Sequence, residues 1–196
     1  MAEGSSKGLT HACRVDTPAA LSAACAQLWA QFDQPLLIEP FLSGREFTVG
    51  LVGTGAGARV LAVGEMVFCE PSGGIYSYEA KGAPGEPGYG YATLQPVDDA
   101  EARRAAEIAL GAWRILGGRD AGRIDLRSDA RGEPQFLEAN PLPGLVPDLS
   151  DLPLLAGYAG WEYATLLAHI MAGALERAPR SRHAHHASHA GGDPGA

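Results

Sequence analysis

Three cysteines are too few and too scattered for a disulfide framework. Cys13, Cys25 and Cys69 are odd in number, and no CxxC occurs. This excludes a stapled secreted scaffold and favours free thiols in a reducing compartment. No stretch approaches the roughly 18 apolar residues that a membrane span needs. The opening MAEGSSKGLTHA has no apolar signal core. A cytoplasmic protein without a membrane is therefore expected. Positive charge is also short: the formal net charge is −8, which excludes a general nucleic-acid binder. The chain has no Walker A spacing, no Ser-His-Asp or Cys-His arrangement and no internal repeat. GTGAGA (Gly53–Ala58) is not a dinucleotide fingerprint, because no helix follows it.

What is present is a globular composition, 46% hydrophobic and 19% charged over 196 residues. That is enough chain for one domain or two small ones. The most informative stretch is GRIDLRSDARGEPQFLEANPLPGLVPDLS, Gly122 to Ser150. Ile124 and Leu126 alternate with Arg123, Asp125 and Arg127. Leu137 and Ala139 alternate with Phe136, Glu138 and Asn140. Ser128 to Gly132 has hairpin composition. Symmetric pairing about the Arg131–Gly132 bond sets Asp125 opposite Glu138 and Arg123 opposite Asn140, all on one face. Opposed Cβ atoms lie roughly 4.5–5.5 Å apart. Two carboxylates that close repel, and a hard divalent cation such as Mg²⁺ resolves the conflict, with Asn140 supplying a third oxygen. A solvated outer face would show the same residues. Pro141, Pro143 and Pro147, which stiffen the strand exit, favour a built site.

The rest of the chain reads as follows. Gly4-Ser5-Ser6-Lys7-Gly8 can turn backbone N–H groups toward an anion; a loose N-terminus has the same composition. Leu9 to Val15 is expected as a strand. A helix capped by Asp16 or Thr17 then buries Leu21, Ala24, Cys25, Leu28 and Phe32. Leu36 to Ile38 is expected as a short buried strand ending at Glu39-Pro40. Arg45 to Val52 alternates, with Phe47, Val49 and Leu51 on one side and Glu46, Thr48 and Gly50 on the other. This strand–Pro–turn–strand suits adenosine, with Glu46 on the ribose; an ordinary hairpin fits as well. Arg59 to Phe68 is one strand or two. Cys69 to Val97 lacks periodicity, and a loop that long is functional or disordered. Lys81 within it can reach a phosphate or simply be solvated. Asp98 to Leu116 is the clearest helix, capped by Asp98 or Asp99, with Ala102, Ala105, Ile108, Ala109, Ala112 and Trp113 apolar. Asp148 to Leu155 is expected as a proline-bracketed loop. Trp161 to Arg177 is a final amphipathic helix with Tyr163, Leu166, Leu167, Ile170, Met171 and Leu175 inward and His169 at its boundary. The segment 178–196 is a His-rich tail of low complexity, expected to be disordered.

Five segments together resemble the D-alanine–D-alanine ligase family of the ATP-grasp superfamily. They are EGSSKG (Glu3–Gly8), LLIEPFLSGREFTVG (Leu36–Gly50), YSYEAK (Tyr76–Lys81), GRIDLR (Gly122–Arg127) and LEANPLPG (Leu137–Gly144), in the family's order and spacing. The resemblance implies an α+β fold, the C-terminal portion of an ATP-grasp domain over 1–177: an antiparallel sheet flanked by helices, with a long mobile loop. It implies an ATP- and Mg²⁺-dependent amino acid ligase forming an amide through an acyl phosphate, for peptidoglycan precursor synthesis. The Gly4–Gly8 loop would cover the phosphates, with Ser5 and Ser6 near the substrate. Glu39 and the backbone of Phe41 and Leu42 would hold adenine, Glu46 the ribose and Lys81 the γ-phosphate. Asp125, Glu138 and Asn140 would bind two Mg²⁺ (or Mn²⁺) ions. Arg123 and the Gly144 amide would stabilise the oxyanion, and Ser150 would hold the second amino acid's carboxylate. The implied partners are ATP and small amino acids, and a homodimer is compatible with the family.

Two departures from the family pattern line the acceptor region. Gly82 replaces a tyrosine, and Asn140 to Ser150 is one residue longer than usual. The chain begins at the family's phosphate loop, so the expectation is a C-terminal half that works with material outside this chain. A non-catalytic nucleotide- or metal-binding remnant, and a ligase for a different amino acid pair, are the alternatives.

Overall fold

A computed structural model describes residues 13–68 and 92–177. The glycine–serine loop with Ser5 and Ser6, the segment with Cys69, Lys81 and Gly82, and the tail 178–196 lie outside the described residues.

The centre is one antiparallel sheet of five strands in the order β3-β2-β1-β4-β5. Its strands are β1 (Glu46–Val52), β2 (Arg59–Phe68), β3 (Ala92–Pro96), β4 (Ala121–Ser128) and β5 (Pro134–Asn140). The alternation in β1 and β4 sorts their side chains. Phe47 pairs with Leu126 and Val49 with Ile124, and these residues pack under helix α2 (Ala100–Ile115) against Ala102, Ala105, Ala109 and Trp113. Asp99 caps α2 by accepting the Ala102 amide at 2.9 Å. Gly117, at φ 70°, lets the chain leave it. On the other face, Val52 and Ala121 pack with Leu152 and Ala156 of α3 (Asp151–Tyr158) and Leu166 of α4 (Tyr163–Arg177). α3 covers only one end of this face. The remainder carries Glu46, Thr48, Asp125 and Arg127, which pair Glu46 with Arg127 and Thr48 with Asp125.

Two glycines let α2 sit close. A Cβ on Gly122 would fall 2.3 Å from the Trp113 ring, and one on Gly118 would fall 2.1 Å from it. Trp113 Nε1 donates to the Gly53 carbonyl at 3.2 Å. The largest core side chain thus rests on positions that have none. Arg45 ties the same layers from their edge, donating to Glu65, Asp99 and Glu101.

Several expectations need correction. Cys13 to Val15 form no strand. Leu36 to Ile38 form no strand either: Leu37 is 75% and Ile38 62% exposed. Pro35 and Pro40 remove ladder donors on both sides of that segment, and no strand of the described sheet lies beside it. Helix α1 (Pro18–Phe32) forms, with Thr17 accepting the Ala20 amide, but its apolar stripe is half-buried and no residue of it is fully buried. The aperiodic stretch ends in a strand, β3, paired with β2. Asp148 to Leu155 is not a loop throughout, since α3 begins at Asp151. In α4 only Leu166 is fully buried, and Met171 and Leu175 are exposed. His169 sits at the boundary with its ring against Trp161, centroids 5.4 Å apart.

Candidate active site

The hairpin that carries the site is built locally. Asp129 Oδ1 accepts the amides of Arg131 and Glu133, and Gly132 takes φ 80°. From there β4 and β5 pair with Asp125 opposite Glu138 and Arg123 opposite Asn140. This is the register expected from the sequence, with one correction. A bulge between Asp125 and Leu126 sets Leu126 opposite Phe136, so Phe136 does not continue the Glu138–Asn140 row. The bulge re-aims the strand beside the carboxylates, a common place for such an irregularity.

Arg123, Asp125, Glu138 and Asn140 are brought together on one face. The Asp125 side chain is largely buried, and its Oδ2 accepts from Arg123 Nε at 3.2 Å. Its Oδ1 is buried with no donor in hydrogen-bonding geometry. Burial pushes the Asp125 carboxyl up to about 6; Arg123 pulls it down, Glu138 pushes it further up, and the Thr48 side chain, opposite it across the β1–β4 pair, draws it down. A second carboxylate reaches Arg123: Asp151, the first residue of α3, accepts from Nη1. Burial lowers the Arg123 guanidinium's pKa, and Asp125 and Asp151 more than restore it, so the net shift is upward. Among the described residues, no three His, Cys, Asp or Glu side chains cluster as a metal-ligand set. The fit of a cation therefore rests on two carboxylates and an amide. The orphaned Asp125 Oδ1, opposed to Glu138, is the atom a divalent cation would satisfy.

Gly144 and Ser150 also meet. A Cβ on Gly144 would lie 2.6 Å from Ser150 Oγ, and that hydroxyl accepts the Val146 amide at 3.1 Å. This bond replaces a side-chain cap on α3, which Ser150 does not make. Tyr163 donates to the Leu145 carbonyl at 2.8 Å and fastens the loop to α4.

The residues expected at adenosine have these surroundings. Glu46 is not held open: Arg127 Nη1 donates to its Oε2 at 3.2 Å, and both side chains are largely buried. The Phe41 ring carries the Arg14 guanidinium at 4.1 Å and that of Arg127 at 5.1 Å. Glu39 is exposed in the irregular segment and Leu42 is half-buried. Sequence reasoning assigned no role to Arg127 or Asp151. Strand alternation already put Arg127 on the polar face. Ser150-Asp151-Leu152-Pro153 carries the signature of a helix start, a capping residue followed by an acidic first turn.

A family model described as D-ala D-ala ligase C-terminus matches residues 1–172. The D-alanine–D-alanine ligase of Bordetella petrii is 40% identical over 171 residues, covering 86% of this chain and 49% of the relative. That of Rhizorhabdus wittichii is 42% identical over 150 residues, covering 75% and 45%. The chain spans about half the length of the curated relatives it matches. The fold matches the crystal structure of a Bacillus anthracis D-alanine–D-alanine ligase complexed with ATP. The TM-score is 0.63 at 19% identity, covering 83% of this chain and 48% of that one. The VanG D-Ala:D-Ser ligase of Enterococcus faecalis matches with a TM-score of 0.60 at 20% identity, covering 80% and 43%.

Proposed function

The chain belongs to the D-alanine–D-alanine ligase family, and from that premise we propose that it is the ATP- and metal-binding half of a carboxylate–amine ligase. The observation that carries the reading is the Asp125–Glu138 pair with Arg123 on the same face. Asp125, Glu138 and Asn140 would hold two Mg²⁺ or Mn²⁺ ions. When bound, the ions neutralise the phosphate oxygens of ATP and draw charge toward the leaving group. In the reaction, one amino acid's carboxylate attacks the γ-phosphorus and ADP leaves, giving an acyl phosphate. The second amino acid's amine attacks that carbonyl, loses a proton, and phosphate leaves.

The residues of this chain act by placement and charge. Arg123 and the Gly144 amide face the carbonyl oxygen as it becomes an oxyanion. Ser150, set against Gly144, holds the second substrate's carboxylate. Glu46 takes the ribose hydroxyls, and Glu39 with the Phe41 and Leu42 backbone takes adenine. Ser5, Ser6 and Lys81 attend the phosphates. The substrates are small amino acids, the product serves peptidoglycan precursor synthesis, and the need for ATP assigns the activity to the cytoplasm. A different amino acid pair is the second reading; the extra residue between Asn140 and Ser150 favours it, because it alters the acceptor wall.

The test is a thermal-shift titration of the chain with Mg²⁺·ATP. Stabilisation is expected for the parent chain and none for Asp125→Asn combined with Glu138→Gln. An equal shift in both overturns the metal assignment.

A further inference from the structure

We infer that Asp151 is the positioning residue that keeps Arg123 in place when Asp125 turns to a cation. The inference rests on the reading of Asp125 as a metal ligand. Arg123 is held by two carboxylates on two elements, Asp125 within β4 through Nε and Asp151 on α3 through Nη1. The Asp125 anchor is conditional. A carboxylate that coordinates a divalent cation gives most of its charge to that cation, and the cation repels a guanidinium beside it. Asp125 alone would then lose Arg123 at the moment the site is loaded.

Asp151 does not share that fate. It stands on a separate element, at the N-terminus of α3, where the helix dipole favours a carboxylate. α3 is fixed to the sheet by Leu152 and Leu155, both fully buried. Leu155 lies over Gly50, the residue across the β1–β4 pair from Arg123. A Cβ on Gly50 would sit 3.2 Å from Leu155 Cδ1, so the missing side chain lets α3 approach the strand that carries the arginine. The side chains of Arg123 and Asp151 are 15% and 23% exposed, which limits screening of their ion pair by water. No other acidic residue occupies the first turn of α3.

The test follows the Arg123 guanidinium by ¹⁵N relaxation of its Nε–H on the full chain, reading the order of the side chain with and without MgCl₂ and ATP. In the parent chain the guanidinium is held in both states, with an order parameter near that of rigid backbone, about 0.85. In Asp151→Asn it is held without Mg²⁺·ATP and becomes flexible with it, the order parameter falling below about 0.6. Asp151→Glu restores the order. In Asp125→Asn the guanidinium stays ordered without any metal, because Asp151 still holds Nη1. A flexible guanidinium in Asp125→Asn overturns the inference without reference to the metal. So does an ordered guanidinium in Asp151→Asn when Mg²⁺·ATP shifts resonances of that chain. If Mg²⁺·ATP moves no resonance of the parent chain, the metal-site reading falls, and Asp125→Asn still decides whether Asp151 is an anchor. A purely structural role for Asp151 predicts a lower Tm with no Mg²⁺-dependent change at Arg123.

Discussion

Asp125 and Glu138 stand directly opposite each other across the β4–β5 pair, and Oδ1 of Asp125 is buried there with no donor in hydrogen-bonding geometry. Like charges in directly opposed positions destabilise a strand pair by roughly 0.2–1 kcal/mol. Asp125→Asn should therefore stabilise the metal-free chain slightly and remove its response to Mg²⁺·ATP. At a concentration one hundred times Kd, that response is about 2.7 kcal/mol for the parent chain. Urea melts with and without Mg²⁺·ATP measure both effects. A variant that is less stable without metal and still responds to the nucleotide would contradict the arrangement.

Gly122 links the core to the site. A Cβ there would fall 2.3 Å from Trp113 Cη2 and 2.9 Å from the Asn140 carbonyl oxygen. Neither neighbour has room to move, since Trp113 is closed in by α2 and Asn140 is paired to Arg123. Gly122→Ala should cost about 1–3 kcal/mol, the usual range for overpacking. It should also weaken Mg²⁺·ATP binding through the displaced Asn140. A chemical-denaturation midpoint unchanged from the parent would contradict the close packing.

What could be read before the fold was known depended on whether the signal was local. The Asp125–Glu138 register followed from alternation and a short turn, because residues in a hairpin pair through their immediate neighbours. α2 followed from its cap and its apolar period. Leu37 and Ile38 misled, because three apolar residues in a row look like a buried strand whether or not another strand lies beside them. β3 was hidden: its five residues, Ala92 to Pro96, are strand only by pairing with β2. The engagement of Glu46 by Arg127 could not be read either, since it joins positions 81 residues apart. Asp151 reads as loop, although Ser150-Asp151 has the pattern of a helix start, and its reach to Arg123 depends on how α3 settles over Gly50.

Asp99 gives the fold a dependence on acid. The Ala102 amide holds its carboxyl below the ordinary value of 3.8, Arg45 adds to this, and partial burial opposes it. A depressed carboxyl contributes stability at pH above its unfolded value. That contribution is lost as pH falls through the lower folded value, so the window lies at and below pH 3.8. The side chain is 45% exposed, so water screens the ion pair and the cap carries most of the effect. Asp99→Ala should cost about 1 kcal/mol at neutral pH, and less below the window. Asp99→Asn should keep most of the cap and flatten the acid slope. Urea midpoints at pH 7 and at pH 3 check both, and parallel slopes for Asp99→Asn and the parent would contradict the assignment.

Glu46 and Arg127 should be coupled to each other and to the nucleotide. Arg127 spans the pair, donating to Glu46 while its guanidinium lies over Phe41 and Phe68 at 5.1 and 5.7 Å. Burial lowers the pKa of that guanidinium, with the Arg14 charge adding to the effect, and Glu46 pulls it back up. Removing Glu46 leaves a largely buried cation with its main compensation gone. Glu46→Ala is therefore expected to cost about 3 kcal/mol, at the lower end for breaking a buried ion pair. Arg127→Met keeps the stem packing but takes the ion pair from an equally buried Glu46 carboxylate, so a cost of about 3 kcal/mol is expected there too. It should also lower nucleotide affinity, because the Glu46 carboxylate is no longer held in one orientation for the ribose. Stability from urea melts and Mg²⁺·ATP affinity from calorimetry separate the two effects. Additive losses in the double variant would show that the residues act independently and would remove Arg127 from the nucleotide site.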